Sequence, residues 1–240
     1  RVQDKTRRAG VELTFAAKVM WASFGVALVM GALVHRSGFC TMGGVSDLIN
    51  MGDKGRLAAW LLAVAIAILG VTAMQAGGLV DMSLTTNNDT SRPPYRVAMF
   101  VWPRYILGGL LFGIGMTLGS GCGNKTLVRL GAGNLKSLVV LLFLGIFAYM
   151  TLRGLIGLAR VEMEAVTMVD LTASGLKTQG IPEILALASS LPLKAISMIA
   201  SVVIGGGLVV FALKSADFRS STRDMAAGFI IGFLVIAAWY

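Results

Sequence analysis

Charge is the scarcest commodity in this chain. Only 14% of its 240 residues are Asp, Glu, Lys or Arg, and its mean hydropathy is +0.79. Soluble domains carry about 25% charged residues, so an ordinary water-soluble domain is excluded. Acidic residues are the scarcer sign, 12 against 21 basic, which leaves a net charge of +9. In a soluble chain that balance points to nucleic acid. Here it divides between topology signals at loop ends and a field that draws anions, and no nucleic-acid partner is expected. There is one histidine, His35, and no His/Cys/Asp/Glu group has metal-ligand spacing, so neither a metal nor a cofactor is expected. Two cysteines, Cys40 and Cys122, make no disulfide framework and no Cys-x-x-Cys redox pair. No nucleotide motif and no clear intramembrane carboxylate is visible.

What remains is apolar and rich in small residues. Hydrophobic residues make up 56% of the chain, with 30 glycines and 13 methionines. The uncharged runs exceed the roughly 10-residue strands of a membrane barrel, so the expected class is an all-α polytopic membrane protein. Residues 1–18 form a basic, mildly amphipathic segment without a cleavage-site pattern. Its charge favours a cytoplasmic start. Val19 to His35 reads as the first membrane helix, with Gly25 and Gly31 placed for close packing. Thr41 to Met51 suits a short helix, and Leu57 to Val80 is an uninterrupted spanning run. Asp81 to Pro103 is expected to be loop, with Tyr95, Trp102 and Tyr105 as interfacial anchors. Tyr105 to Gly121 forms the next helix, and Gly113, Gly115 and Gly119 suggest helix packing. Asn124 to Asn134 is a short amphipathic piece, and Ser137 to Gly157 a span interrupted by Arg153. Residues 19–157 thus make a core containing both cysteines, residues 158–194 a polar connection, and residues 195–240 further membrane helices. The methionines read as core. Both ends are expected to be trimmed from a longer parent.

The two cysteines share a setting. Ser37-Gly38-Phe39-Cys40-Thr41 and Ser120-Gly121-Cys122-Gly123-Asn124 each follow an apolar run and precede a short polar helix. The pattern implies an internal repeat: long helix, broken Gly-Cys loop, short helix, long helix, meeting at a central constriction. A break followed by a new helix start presents free N–H groups and the positive end of a dipole, which suits an anion. Glycine permits close backbone approach or positive φ, and Gly121 and Gly123 are placed for either. The weak S–H donor fits a sulfur anion that must bind briefly. The expected substrate-binding residues are Gly38, Phe39, Cys40, Thr41, Ser120, Gly121, Cys122, Gly123 and Asn124. Arg36, Lys125 and Arg129 are candidates for attracting the anion, with snorkelling to headgroups as the alternative. The structural alternative for the thiols is burial as small hydrophobes in a Gly-rich seam. Asp47 suits a cap or a pair with a basic neighbour, and His35 a helix end. No catalytic residue is assigned.

His35-Arg36-Ser37-Gly38-Phe39-Cys40-Thr41, with Asp47-Leu48 behind it, resembles the first signature of the YeeE/YedE sulfur-transport family. Gly119-Ser120-Gly121-Cys122-Gly123-Asn124, followed by Leu127-Val128-Arg129-Leu130-Gly131-Ala132-Gly133-Asn134, resembles its second. The likeness is close over residues 20–155 and loose beyond. It implies a multi-pass transporter of the bacterial inner membrane, hourglass-shaped, importing thiosulfate or a related small sulfur anion past cysteines. It also implies a small cytosolic sulfur-carrier protein as partner, besides membrane lipid. Cys40 and Cys122 match family cysteines. The third cysteine of the family's thiosulfate importers has no counterpart after Cys122, so either it lies in a missing C-terminal part or the substrate differs. Two other functions stay open. One is a membrane redox protein cycling a Cys40/Cys122 disulfide; the other is a non-selective anion channel.

Overall fold

The computed structural model describes residues 2–80, 98–176, 178–188 and 192–239, with side chains from residue 17. It is helical almost throughout. Helix α1 (Val2–Ser37) is followed by the short α2 (Thr41–Asn50) and the long α3 (Gly55–Ala76). A second set runs α4 (Trp102–Leu118), the short α5 (Gly123–Gly131) and the long α6 (Leu135–Arg153). Then come α7 (Leu155–Thr167), α8 (Ile181–Ala188), α9 (Leu193–Lys214), the short α10 (Ala216–Ser220) and α11 (Thr222–Trp239). Among the described residues, six apolar stretches are long enough to cross a membrane: Ala17–Asn50, Gly55–Ala76, Trp102–Gly131, Leu135–Arg153, Leu193–Lys214 and Thr222–Trp239.

The chain departs from the sequence reading at several ends. Helix α1 runs without a break through the expected boundary at residue 18, because no proline interrupts it and Lys, Arg and Glu are good helix formers. The span expected to reach Gly157 stops at Arg153: Gly154 is extended, and a Cβ there would lie 2.8 Å from Met150 Cα. The polar connection therefore contains most of a helix, α7. The expected loop from Asp81 to Pro103 ends in a strand, β1 (Met99–Val101), antiparallel to β2 (Met168–Asp170). Such a pairing joins segments distant in sequence and leaves no local signal. Trp102 and Tyr105 are exposed, as interfacial anchors require; Tyr95 lies outside the described residues. Between α9 and α11 lies α10, whose first turn is capped by Ser215 accepting from Phe218 N–H.

Packing centres on α3, which lies between α9 and α11. Small residues set the spacing. A Cβ at Gly228 would sit 2.8 Å from Ala59 O, and one at Gly232 2.8 Å from Ile66 Cβ. Gly205 of α9 meets Leu69 Cγ at 2.7 Å in the same way. In lipid, association of this kind rests on van der Waals contact rather than on the hydrophobic effect, which is why bare backbone helps. Thr72 Oγ1 adds a 2.8 Å hydrogen bond to Ser201 Oγ across the α3–α9 contact. By contrast, among the described residues only Gly119 of the glycines expected to pack elsewhere meets another helix, with Val140 Cγ1 3.8 Å from a Cβ position. Gly25 and Gly31 of α1, and Gly113 and Gly115 of α4, have nothing within 4 Å of a Cβ position. Helices α4 and α6 turn most of their apolar side chains outward. Several methionines, Met20, Met51 and Met198 among them, are exposed rather than core.

Candidate functional site

Each cysteine stands at the start of a short helix. The first break begins where Ser37 ends α1: its Oγ donates to Leu33 O at 2.7 Å and accepts from Phe39 N–H at 3.2 Å. Gly38 then takes φ +65°, the left-handed turn that glycine allows without strain. Cys40 follows in extended backbone as the N-cap of α2, and its carbonyl accepts from Gly44 N–H at 2.9 Å. Its side chain makes no cap hydrogen bond. The second break is built with different turns. Gly119 closes α4, Ser120 has φ +56° and Gly121 has φ +154°. Cys122 is the uncapped N-cap of α5, its carbonyl taking Thr126 N–H at 3.0 Å and Thr126 Oγ1 at 3.1 Å.

The two breaks meet. The Cys40 sulfur lies against the N–H groups of Gly43 and Cys122 and against the Cys122 thiol, with the Lys125 ammonium in electrostatic range. Val128 of α5 packs against the buried cluster of Val34, Ala63, Ala227 and Ile231. Cys40 is buried, Cys122 half-buried. Chemically this corner holds two thiols and the N–H groups of Gly43, in the first turn of α2, and of Cys122, the N-cap of α5. Such a set can accept a small anion by weak, multiple contacts.

The other expected residues divide. Gly121 is buried, and the left-handed backbone expected of it is present; a Cβ there would meet Lys125 Cδ at 3.0 Å. Gly123 is not among the residues with positive φ, and its nearest neighbour, Leu144 Cδ1, is 3.8 Å from a Cβ position. It sits at the first position of α5, where helical backbone suits any residue, so no conformational demand falls on it. Phe39 packs against the clusters around Leu62 and Ile231. Arg129 NH1 donates to Ser120 O at 3.0 Å, so it braces the loop. Lys125 lays its stem over Gly121. Gly38 and Thr41 are half-buried beside Cys40, whereas Arg36, Ser120 and Asn124 are exposed.

Sequence reasoning missed Arg56. Its Nε is paired with Asp47 Oδ2, the basic partner that Asp47 was expected to find. Its NH1 lies 2.9 Å from a Cβ position on Gly43 and 3.9 Å from one on Gly38. It also missed the buried carboxylate of Asp224 in the first turn of α11, and did not place Asp47, buried on α2, within an apolar stretch. The available signal was a lone arginine opening the longest uncharged run, just after the Gly52–Lys54 turn.

Comparison with known proteins agrees with this architecture. The thiosulfate transporter TsuA of Escherichia coli (strain K12) is 28% identical over 124 residues, covering 52% of this chain and 30% of that protein. The thiosulfate transporter TsuA of Spirochaeta thermophila is 24% identical over 136 residues, 57% of this chain and 37% of that protein. The chain therefore aligns with only about a third of each relative's length. No solved structure matches it significantly. The family described as Sulphur transport matches residues 36–240, which include both cysteine breaks, and the chain belongs to that family.

Proposed function

We propose that this chain takes part in importing thiosulfate, or a related small sulfur-containing anion, across the bacterial inner membrane, with Cys40 and Cys122 lining the narrow point of the path. The observation that carries the reading is the meeting of two uncapped N-cap cysteines from separate helix breaks. The transporters named above add the substrate class. A desolvated anion needs its hydration replaced. Each helix start supplies roughly half a positive charge through fixed N–H groups, and the thiols supply weak, polarisable donors. Neither holds the anion tightly, which transport requires. Lys125, in range of Cys40, strengthens the local potential, and Arg129 keeps the second break in shape. Delivery to a small cytosolic sulfur-carrier protein belongs to the same proposal and rests on the family resemblance alone.

The test is uptake of radiolabelled thiosulfate by cells or proteoliposomes carrying the full-length protein, with sulfate and sulfite as competitors. Cys40→Ser and Cys122→Ser are expected to insert normally and to lose most uptake. Unchanged flux in both variants would favour a simple anion channel. A native Cys40–Cys122 disulfide that turns over with the membrane quinone pool would favour the redox reading.

A further inference from the structure

We infer that Arg56 is a positioning residue for the Cys40 thiol: through the space left by two glycines, it holds the first break against α3 so that Cys40 faces Cys122. The inference rests on the transport reading for its consequence, and on packing for its argument.

Helix α2 carries Gly43-Gly44, both buried. Gly44 brings α2 onto the start of α3, with a Cβ position only 2.9 Å from Leu57 N. Gly43 leaves a hole beside it. Two groups share that hole: Cys40 Cβ at 3.5 Å and Arg56 NH1 at 2.9 Å from the missing Cβ. The same guanidinium reaches the left-handed turn at Gly38, just before Cys40. Its Nε is anchored by the buried carboxylate of Asp47, two turns along α2 from Cys40. The planar guanidinium is therefore fixed at one edge and lies with its other edge against the turn that carries the thiol. A lysine pairs with Asp47 as a point charge, but it has no planar fork to span from Asp47 to Gly43.

The ion pair has a second effect at the same place. Asp47 is buried within reach of a site that must admit an anion. Unpaired, its charge would be costly and would repel substrate. Arg56 neutralises it. Asp224, also in electrostatic range of Arg56, lies close to the start of α3, one 3.4 Å step from a Cβ position on Gly55. The N-terminal turn of α11, where Asp224 sits, favours a carboxylate.

Positioning and neutralisation separate experimentally. In membranes containing the full-length protein, diamide takes two electrons and two protons from a neighbouring thiol pair, leaving a disulfide and the reduced hydrazine. The rate of Cys40–Cys122 bond formation reads thiol placement without any substrate. Disulfides need Cβ atoms within about 4.5 Å, so a displaced Cys40 is expected to cross-link roughly tenfold more slowly. Arg56→Lys, which keeps charge and insertion, is expected to show that slowing together with a reduced maximal uptake. Arg56→Gln is expected to show it with a raised KM as well. Arg56→Gln combined with Asp47→Asn restores local neutrality. It is expected to recover KM but neither the cross-linking rate nor maximal uptake. Wild-type cross-linking in Arg56→Lys or in the double variant, at equal membrane levels, would overturn the inference, as would a wild-type protein that forms no cross-link. If cross-linking depends on Arg56 while the wild type carries no thiosulfate, the substrate reading fails and the positioning role stands.

Discussion

The two cysteine breaks use the same local chemistry and are held in different ways. In the first, Cys40 is buried and its turn is held from the next long helix: by the Arg56–Asp47 pair and the Gly44 contact with α3, and α3 is itself clasped by α9 and α11. In the second, Cys122 is half-exposed and its loop is fixed locally. Arg129 returns from α5 to the Ser120 carbonyl, Gly121 N–H reaches back to Met116 O at 2.9 Å, and Lys125 covers Gly121. Its flanking helices, α4 and α6, face mostly outward. A helix break in a membrane must satisfy its freed backbone groups inside protein. Both breaks do so within their own turns, through Val34 and Ser37 at the first and Met116 and Arg129 at the second, but the first is also packed against α3. The first thiol's geometry therefore depends on the helix core, and the second's on its own turn.

Substitutions that act on one side only are the sharpest way to break this comparison. The largest effect is expected in the core behind the first break. Gly228→Leu places a side chain where backbone lies 2.8 Å away, while Gly113→Leu enters open space. Overpacking costs about 1–3 kcal/mol. Gly228→Leu should lower the thermal midpoint of the detergent-solubilised protein by several degrees, and Gly113→Leu should leave it nearly unchanged. Equal shifts would erase the contrast between the two regions.

Next comes the backbone of the second break. Gly121→Val forces a β-branched residue to φ +154° against the Lys125 stem, whereas Gly123→Val meets ordinary helix-start backbone. Strain of this kind costs about 1–3 kcal/mol. Uptake should be lost in Gly121→Val with insertion preserved, and largely kept in Gly123→Val. The reverse ranking would show that substrate approach, rather than conformation, sets the need for glycine.

The charged residues of α5 are expected to matter less. Arg129→Ala removes a charge-assisted hydrogen bond worth about 1.5–3 kcal/mol, loosening Ser120, so KM for uptake should rise severalfold. Lys125→Ala should raise KM modestly, more at low ionic strength where its field is unscreened, with maximal uptake largely intact. Complete loss of uptake at saturating substrate in Lys125→Ala would argue for a direct ion pair with the anion.

The smallest effect lies outside both breaks. The Thr172 hydroxyl and then its N–H, donating to Asp170 at 2.6 and 2.9 Å, hold that exposed carboxyl below its ordinary range. A lowered carboxyl pKa adds order above the ordinary value of about 4. That order is lost as pH falls through the lowered value. Amide exchange at Thr172 should therefore quicken only under acid, relative to the intrinsic rate, and Asp170→Asn should remove the pH dependence.

Much of this protein is written locally. Scarce charge and long apolar runs determine a helical membrane chain, because lipid offers backbone groups no partner outside a helix or a closed barrel. Gly121 announces its positive-φ turn, and the polar residues after each cysteine announce a short helix, because these are preferences of single residues and their nearest neighbours; Gly123, equally marked, is ordinary helix start. Tertiary structure alone decided which glycines touch another helix. Gly228 and Gly232 do, while Gly25, Gly31, Gly113 and Gly115 meet nothing among the described residues, since packing depends on what arrives from elsewhere. It alone brought Met99–Val101 to Met168–Asp170. It alone turned Arg56, to all appearance a topology charge at a helix start, toward Asp47 and the Cys40 turn. A long flexible side chain carries no mark of its direction in the sequence. Where it goes is settled by the hole that Gly43 leaves and by the carboxylate that waits beside it.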